Sequence, residues 1–87
     1  MTLDDPALHD ALTRCELTSD QLASDARLGW LWHATDPTYG SEDLLISARD
    51  QTAAAYIARR TWGASPPRTP VIEQVSAPPR GRRRGAS

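Results

Sequence analysis

Residues 18–34 read TSDQLASDARLGWLWHA, and the way this stretch continues past Gly29 decides the fold. Thr18 followed by Gln21 has the capping-box pattern, in which each side chain bonds the other residue's free backbone N–H. A helix is therefore expected to start here. Its apolar residues do not all share one helix face. Trp30 lies on the face of the first apolar residues, Leu22, Ala23 and Ala26, but Leu28, Leu31 and Trp32 do not.

Two interpretations of the second half of this stretch remain open. The helix can continue to about Ala34, apolar on most sides because two neighbours bury it. Alternatively, it ends near Leu28 with Gly29 as a left-handed cap, which leaves residues 30–33 extended. We favour the continuous helix.

Helices are also expected on both sides of this stretch. Asp5 and Pro6 are a typical helix start, and the apolar spacing behind them predicts a first helix up to Glu16. Ser41, with acidic residues in the turn that follows, predicts a third helix that ends at Gly63. The sequence therefore predicts an all-α fold, a small three-helix domain with a disordered Pro/Arg-rich C-terminal tail.

The charge changes sign at residue 63. Ten acidic residues and five arginines give residues 1–63 a net charge of −5, whereas one acidic residue and five arginines give residues 64–87 a net charge of +4. The second part is rich in proline and poor in large apolar residues, so it cannot offset about 1–2 kcal/mol of backbone entropy per ordered residue. We predict an acidic helical domain over 1–63 and a flexible basic tail over 64–87.

The sequence contains no pattern typical of a catalytic or metal site. Its only cysteine, Cys15, falls on the apolar stripe of the first helix, which favours a buried and inert thiol. His9 and His33 have no ligand at zinc spacing, and no phosphate-binding loop or nucleophile elbow occurs. We expect no enzyme activity, no metal and no cofactor.

Apolar residues that a small core cannot all bury predict a protein-binding surface. Trp30 and Trp32 cannot both point inward from one helix, and Trp32 is the expected contact residue. The third helix carries a second apolar stripe with Ile46 and Ile57. Neighbouring helices cover this stripe in the interpretation that we favour; in the other it is a dimer or partner surface.

The run Val71–Val75 is β-prone and bracketed by prolines. It predicts a strand that pairs with a sheet edge, offered either by a partner or by the domain itself. With the helical residues, it completes the predicted partner-binding set: Trp32, Ile46, Ile57, Val71, Ile72 and Val75.

The arginines near the C-terminus suggest a second kind of partner. Four guanidinium groups within five residues can neutralise phosphates without a preformed groove. No aromatic residue is interleaved to stack on bases. Nucleic-acid contact through the tail is therefore the alternative hypothesis, with these residues: Arg80, Arg82, Arg83 and Arg84.

No apolar run approaches the ~20 residues that cross a bilayer, and the N-terminus is acidic where a secretory signal would be basic. We therefore expect a cytoplasmic protein without membrane contact. All ten basic residues are arginine, a bias typical of a high-GC bacterial or phage genome. The function we expect is that of a small non-enzymatic adaptor or regulatory protein that binds a protein partner, and homo-oligomers are possible.

Overall fold

The structure is a computed structural model that describes residues 1–63 and 66–77. Within these ranges it has three α-helices and three strands: α1 (His9–Arg14), α2 (Ser19–Leu28), β1 (Leu31–Thr35), β2 (Leu44–Ser47), α3 (Gln51–Trp62) and β3 (Val71–Gln74). A short 3₁₀ turn, Pro6–Leu8, precedes α1. The fold is mixed α/β, so the prediction of an all-α helical bundle is wrong.

The first departure from the predicted fold is at Gly29, which has a φ of +79°. The N–H of Gly29 donates to the Ala26 carbonyl, and the N–H of Trp30 donates to the Asp25 carbonyl. These are the two bonds of a Schellman motif. These bonds end α2 at Leu28 and send the chain directly into β1. The predicted helix through residue 34 is therefore wrong, and the alternative with a cap at Gly29 is correct.

The second departure concerns residues 44–47, which form β2 instead of the first turns of a helix. Helices cover both faces of the sheet, so this strand is apolar on both sides and its periodicity cannot be told from that of a buried helix. The third helix begins only after Asp50, whose Oδ1 accepts a hydrogen bond from the Ala53 N–H at 2.8 Å. Ser41 therefore caps no helix.

The sheet is antiparallel throughout and has the order β2-β1-β3. Trp32 of β1 lies opposite Ile46 of β2 and Gln74 of β3. The predicted disordered tail is thus wrong for residues 71–74, which pair with the domain's own sheet. The division of the chain at residue 63 otherwise stays a prediction, since residues 64, 65 and 78–87 lie outside the described ranges.

Two small apolar cores lie on the two faces of the sheet. One lies between the sheet and α3, where alanines of the helix allow close approach: Ala34, Ile46, Ala48, Ala54, Ala58 and Ile72. The other lies under the N-terminal helices: Leu8, Leu22, Ala26, Leu31 and Val75. Because β1 is central and contributes to both cores, it is the element on which the whole fold depends.

Candidate functional site

Strand β2 is one of the two edges of the sheet, and its hydrogen-bonding phase fixes which of its residues bond to β1. The Ala48 N–H donates to the Trp30 carbonyl at 2.8 Å, next to the end of β2. Hydrogen-bonded pairs alternate with non-bonded pairs in an antiparallel ladder. Leu44 and Ile46 are in phase with Ala48, so their backbone groups face β1.

Leu45 and Ser47 are in the opposite phase, so their N–H and C=O groups point away from the sheet. No backbone or side-chain group of residues 1–63 or 66–77 bonds to them. Asp43 shares this phase, and its carbonyl accepts a hydrogen bond from Arg14 Nη2 at 2.7 Å. The unpaired part of the edge is therefore the backbone of Leu45 and Ser47.

The opposite edge, β3, is partly covered. Gln51 Nε2 donates to the outward carbonyl of Ile72 at 3.0 Å. The N-terminal segment bonds the end of this edge, with the Leu3 N–H donating to the Ser76 carbonyl at 3.0 Å. Pro70, just before the strand, has no N–H to offer. The Ile72 N–H and the Gln74 N–H and C=O also have no bond within the described residues, so β3 is less open than β2 but is not closed.

A groove of about 290 Å³ follows the β2 edge. Leu17, with Arg14 and Glu16, forms the wall on the α1 side, and Ile57 and Thr61 of α3 form the other wall. Ile57 is 38% exposed although it is apolar. The open backbone groups thus lie between two partly apolar walls, the surroundings that an added strand requires. We call this surface the β2 groove.

Polar contacts fix the start of β2. Arg14 Nε lies 3.2 Å from the Glu42 carboxylate, in addition to the bond that its Nη2 donates to the Asp43 carbonyl. His33, buried on the α1 side of the sheet, has its Nε2 at 3.0 Å from Asp43 Oδ2. The Asp43 side chain is therefore held on that side of the sheet, beside the β2 groove.

A buried ion pair ties the loop between β1 and β2 to the segment before β3. The Asp36 carboxylate accepts hydrogen bonds from Ser41 Oγ at 2.7 Å, the Tyr39 N–H at 3.2 Å and Arg68 Nε at 2.9 Å. Arg68 also lies 5.3 Å from the Tyr39 ring centroid and donates to the Gly63 carbonyl at 2.8 Å. One guanidinium thus connects three segments of the chain.

The environment of Asp36 lowers the pKa of its carboxyl group. Burial by itself raises this pKa, but the hydrogen bonds from Ser41, Tyr39 and Arg68, together with the charge of Arg68, outweigh burial. Asp36 is therefore ionised at neutral pH. An ionised carboxylate with its acceptor positions filled suits a structural ion pair and not proton transfer.

A second cavity, of about 280 Å³, lies at the C-terminal end of α3. Arginines and one aromatic ring dominate its lining: Tyr56, Arg59, Arg60, Gly63, Pro67 and Arg68. Arg60 Nη1 donates to the Tyr56 hydroxyl at 3.0 Å, and its guanidinium lies over that ring. Arg68 is neutralised by Asp36, so Arg59 and Arg60 supply the positive charge of this cavity, which we call the basic cleft.

Three of the predicted partner-binding residues lie in the core. Ile46, Ile72 and Val75 are at most 9% exposed, so they present almost no surface to a partner. Trp32 is half-buried against α3, and its Nε1 donates to the Ala48 carbonyl at 2.8 Å. These residues hold the sheet together.

The other predicted site residues are on the surface or outside the described ranges. Ile57 lines the β2 groove, and Val71 is exposed on β3. Of the two neighbouring tryptophans, Trp30 is the more exposed. The predicted nucleic-acid-binding arginines all lie outside the described residues: Arg80, Arg82, Arg83 and Arg84.

Sequence analysis missed Leu17, Leu45 and Ser47 as site residues. The available signal was Asp50, shortly before the alanine-rich run. An N-cap at Asp50 places the start of the helix after residues 44–47, and these then form a separate apolar segment. The open edge itself could not be read from local sequence, since it depends on the pairing of β2 with β1.

Comparisons of the chain with protein-family models, with curated proteins and with solved structures find no match. Within residues 1–63 and 66–77, no helix has the length and apolar character needed to cross a membrane. The same residues contain no group of three or more His, Cys, Asp or Glu side chains placed to hold a metal ion.

Proposed function

We propose that this chain is a small, non-enzymatic protein-interaction domain of the cytoplasm, an adaptor or regulator, that accepts a strand from a protein partner along β2. The observation that carries the proposal is the pair of residues with unpaired backbone groups, Leu45 and Ser47, beside an apolar groove. An uncovered apolar edge strand promotes association with another chain, and natural proteins cover such edges unless they use them.

Strand addition would use both the open backbone groups and the apolar walls of the β2 groove. The backbone groups of Leu45 and Ser47 would bond the incoming main chain, which gives affinity for any extended segment. Side chains of an added strand alternate between the two faces of the sheet, so they would contact Leu17 on one side and Ile57 on the other. Burial of this apolar surface stabilises the complex by about 25 cal/mol per Å².

This proposal changes the part assigned to Val71–Val75. Those residues were expected to donate a strand to a partner, but residues 71–74 complete the domain's own sheet. The chain then accepts a strand at β2 and does not donate β3. Among the predicted contact residues, Ile57 becomes the main candidate.

Nucleic-acid contact is the second candidate function, favoured by the basic cleft. Arg59 and Arg60 line this cavity with guanidinium groups that have no acidic partner within the described residues, and such groups suit an anionic ligand such as a phosphate backbone. Arg80, Arg82, Arg83 and Arg84 would add charge of the same sign. This function predicts binding that weakens steeply as salt increases.

Ile57→Arg tests the proposed function, because it places a charge on the wall of the β2 groove. Affinity purification from the native host should recover a protein partner with the wild-type chain and lose it with this variant. The partner can be another protein or a differently tagged copy of this chain. Nuclease treatment should leave the recovery unchanged.

Leu28→Arg is the matched control, since Leu28 is 58% exposed and is not a groove residue. This variant should retain the partner, and both variants should keep the wild-type circular dichroism spectrum. Equal recovery with Ile57→Arg and wild type would contradict strand addition at β2. Recovery that nuclease abolishes would favour the nucleic-acid function instead.

A further inference from the structure

We propose that the strand accepted by β2 is β2 of a second copy of this chain, antiparallel to the first about a two-fold axis at Ile46. This inference rests on the proposed function, since it names the partner for strand addition at the same groove. The result is a dimer with one continuous sheet of six antiparallel strands.

The hydrogen-bonding phase of β2 selects this register. With the axis at Ile46, Leu45 lies opposite Ser47 of the second copy, and Ser47 lies opposite Leu45 of the second copy. Both pairs join outward-facing residues, so each exchanges two N–H to C=O bonds. Every outward backbone group of Leu45 and Ser47 in both copies is then paired.

Neighbouring registers pair fewer of the outward backbone groups. A shift that moves the axis from Ile46 to Leu45 places Ser47 opposite Asp43 of the second copy, and the Asp43 carbonyl is already bonded to Arg14. A shift that places outward residues opposite inward ones leaves both without partners. The register with the axis at Ile46 is therefore the one that pairs every outward backbone group of Leu45 and Ser47.

Charge complementarity supports the same register. Asp43 is three residues before Ile46 and Arg49 is three residues after it, so the two-fold axis brings the end of β2 near Asp43 in each copy to the end near Arg49 in the other. Arg49 is exposed and makes no ion pair within the described residues. Opposite charges across neighbouring strands stabilise a pairing.

The two edges of the sheet also explain why assembly would stop at two copies. An isologous interface uses the same surface on both partners and closes on itself. In the dimer both β2 edges are internal, and the outer edges are two copies of β3. Gln51 and the N-terminal residues bond part of that edge, so a third chain finds fewer open backbone groups there than β2 offers.

The groove walls supply the rest of the interface. A stable interface buries about 1,200–2,000 Å² in total, more than a pair of four-residue strands provides. The two-fold axis brings Ile57 and Thr61 of both α3 helices to one face of the sheet, and Leu17 of both copies to the other. Dimerisation should therefore be sensitive to a charge at Ile57.

Sedimentation equilibrium of the full chain tests the dimer. The wild type and Leu28→Arg should show a concentration-dependent species of twice the 9.5 kDa chain mass, and Ile57→Arg should be monomeric. Arg49→Glu should raise the dimer dissociation constant about 3- to 10-fold at low salt, because the charge near each Asp43 of the other copy changes from attractive to repulsive. Arg27→Glu makes the same charge change away from the groove and should have no such effect.

A disulfide cross-link tests the register. In a Cys15→Ser background, Leu45→Cys combined with Ser47→Cys places the two thiols of different copies on directly opposed residues, about 5.5 Å apart between Cα atoms. Mild oxidation should give a covalent dimer. Ser47→Cys alone should not, because its two copies are offset along the strands.

Three results would overturn the dimer: a wild-type chain that stays monomeric at millimolar concentration, a dimer that Ile57→Arg leaves intact, or a double-cysteine variant that does not cross-link. If the chain is monomeric but Ile57→Arg still loses a different protein in the affinity purification, strand addition stands and only the identity of the partner is wrong.

Discussion

Leu31→Ala is expected to lower the free energy of unfolding by about 2–5 kcal/mol. Leu31 is fully buried in the central strand, between the N-terminal helices and the sheet. Truncation leaves a cavity that a small core cannot refill, and domains of this size have only about 5–10 kcal/mol of stability in total. The variant should therefore be marginally folded.

Urea unfolding followed by circular dichroism measures this loss, and Leu28→Ala is the control. Leu28 is 58% exposed at the end of α2, so its truncation should change stability by no more than about 0.5 kcal/mol. In a continuous helix through residue 34, truncation of Leu28 and of Leu31 would lower the free energy of unfolding by similar amounts. Similar losses for the two variants would contradict a chain that leaves the helix at Gly29.

Asp36→Asn should have the second largest effect and lower the Tm by about 10 °C or more. Asp36 is buried, and its partner Arg68 has a side chain only 13% exposed. The amide leaves that guanidinium charge without a counter-charge. It also cannot accept as strongly the bonds from Ser41 and the Tyr39 N–H.

The same ion pair predicts a pH dependence. The pKa of Asp36 is lower in the folded chain than in the unfolded one, where it is about 3.9. Its stabilisation is therefore complete above that value and is lost as the pH falls through the lower folded pKa. Thermal unfolding between pH 7 and pH 2 should show a smaller acid-induced fall of the Tm for Asp36→Asn than for wild type.

Glu42→Gln provides the control for Asp36→Asn. It removes an exposed ion pair with Arg14, which contributes at most about 1 kcal/mol. A Tm of Asp36→Asn as high as that of Glu42→Gln, or an unchanged acid sensitivity, would contradict the role given to the buried pair.

Most of the local capping signals in the sequence were reliable; the exception is Ser41, whose Oγ donates to Asp36 and caps no helix. The capping box at the start of α2 has both bonds, from the Thr18 N–H to Gln21 Oε1 and from the Gln21 N–H to Thr18 Oγ1. Asp5 caps the first helical turn by accepting from the Ala7 N–H, and α3 ends at Gly63. The donor and the acceptor of such a bond are only a few residues apart, so a short stretch of sequence contains both.

The sheet was missed because its cause is not local, although a strand was predicted at Val71–Val75. Residues 31–34 and 44–47 contribute to both cores, so neither shows the alternation of a half-buried strand. β3 pairs with residues about forty positions earlier, and no local pattern encodes this partner. The prolines around β3 correctly excluded a helix but also suggested disorder.

The candidate site was predictable only in part. Ile57 was named as a partner-binding residue, but its exposure was the less favoured of two interpretations of the second apolar stripe on the third helix. Leu45 and Ser47 belong to the site through their backbone groups and not through their side chains. Only the register with β1 shows which backbone groups are open.

Backbone hydrogen exchange of the ¹⁵N-labelled full chain at increasing protein concentration tests the central claim most directly. The Leu44 and Ile46 amides, which bond to β1, should be protected at every concentration. The Leu45 and Ser47 amides should exchange fast in dilute solution and become protected as β2 strands pair between copies. Fast exchange of Leu45 and Ser47 at all concentrations would contradict the paired edge, and fast exchange of all four amides would contradict β2 itself.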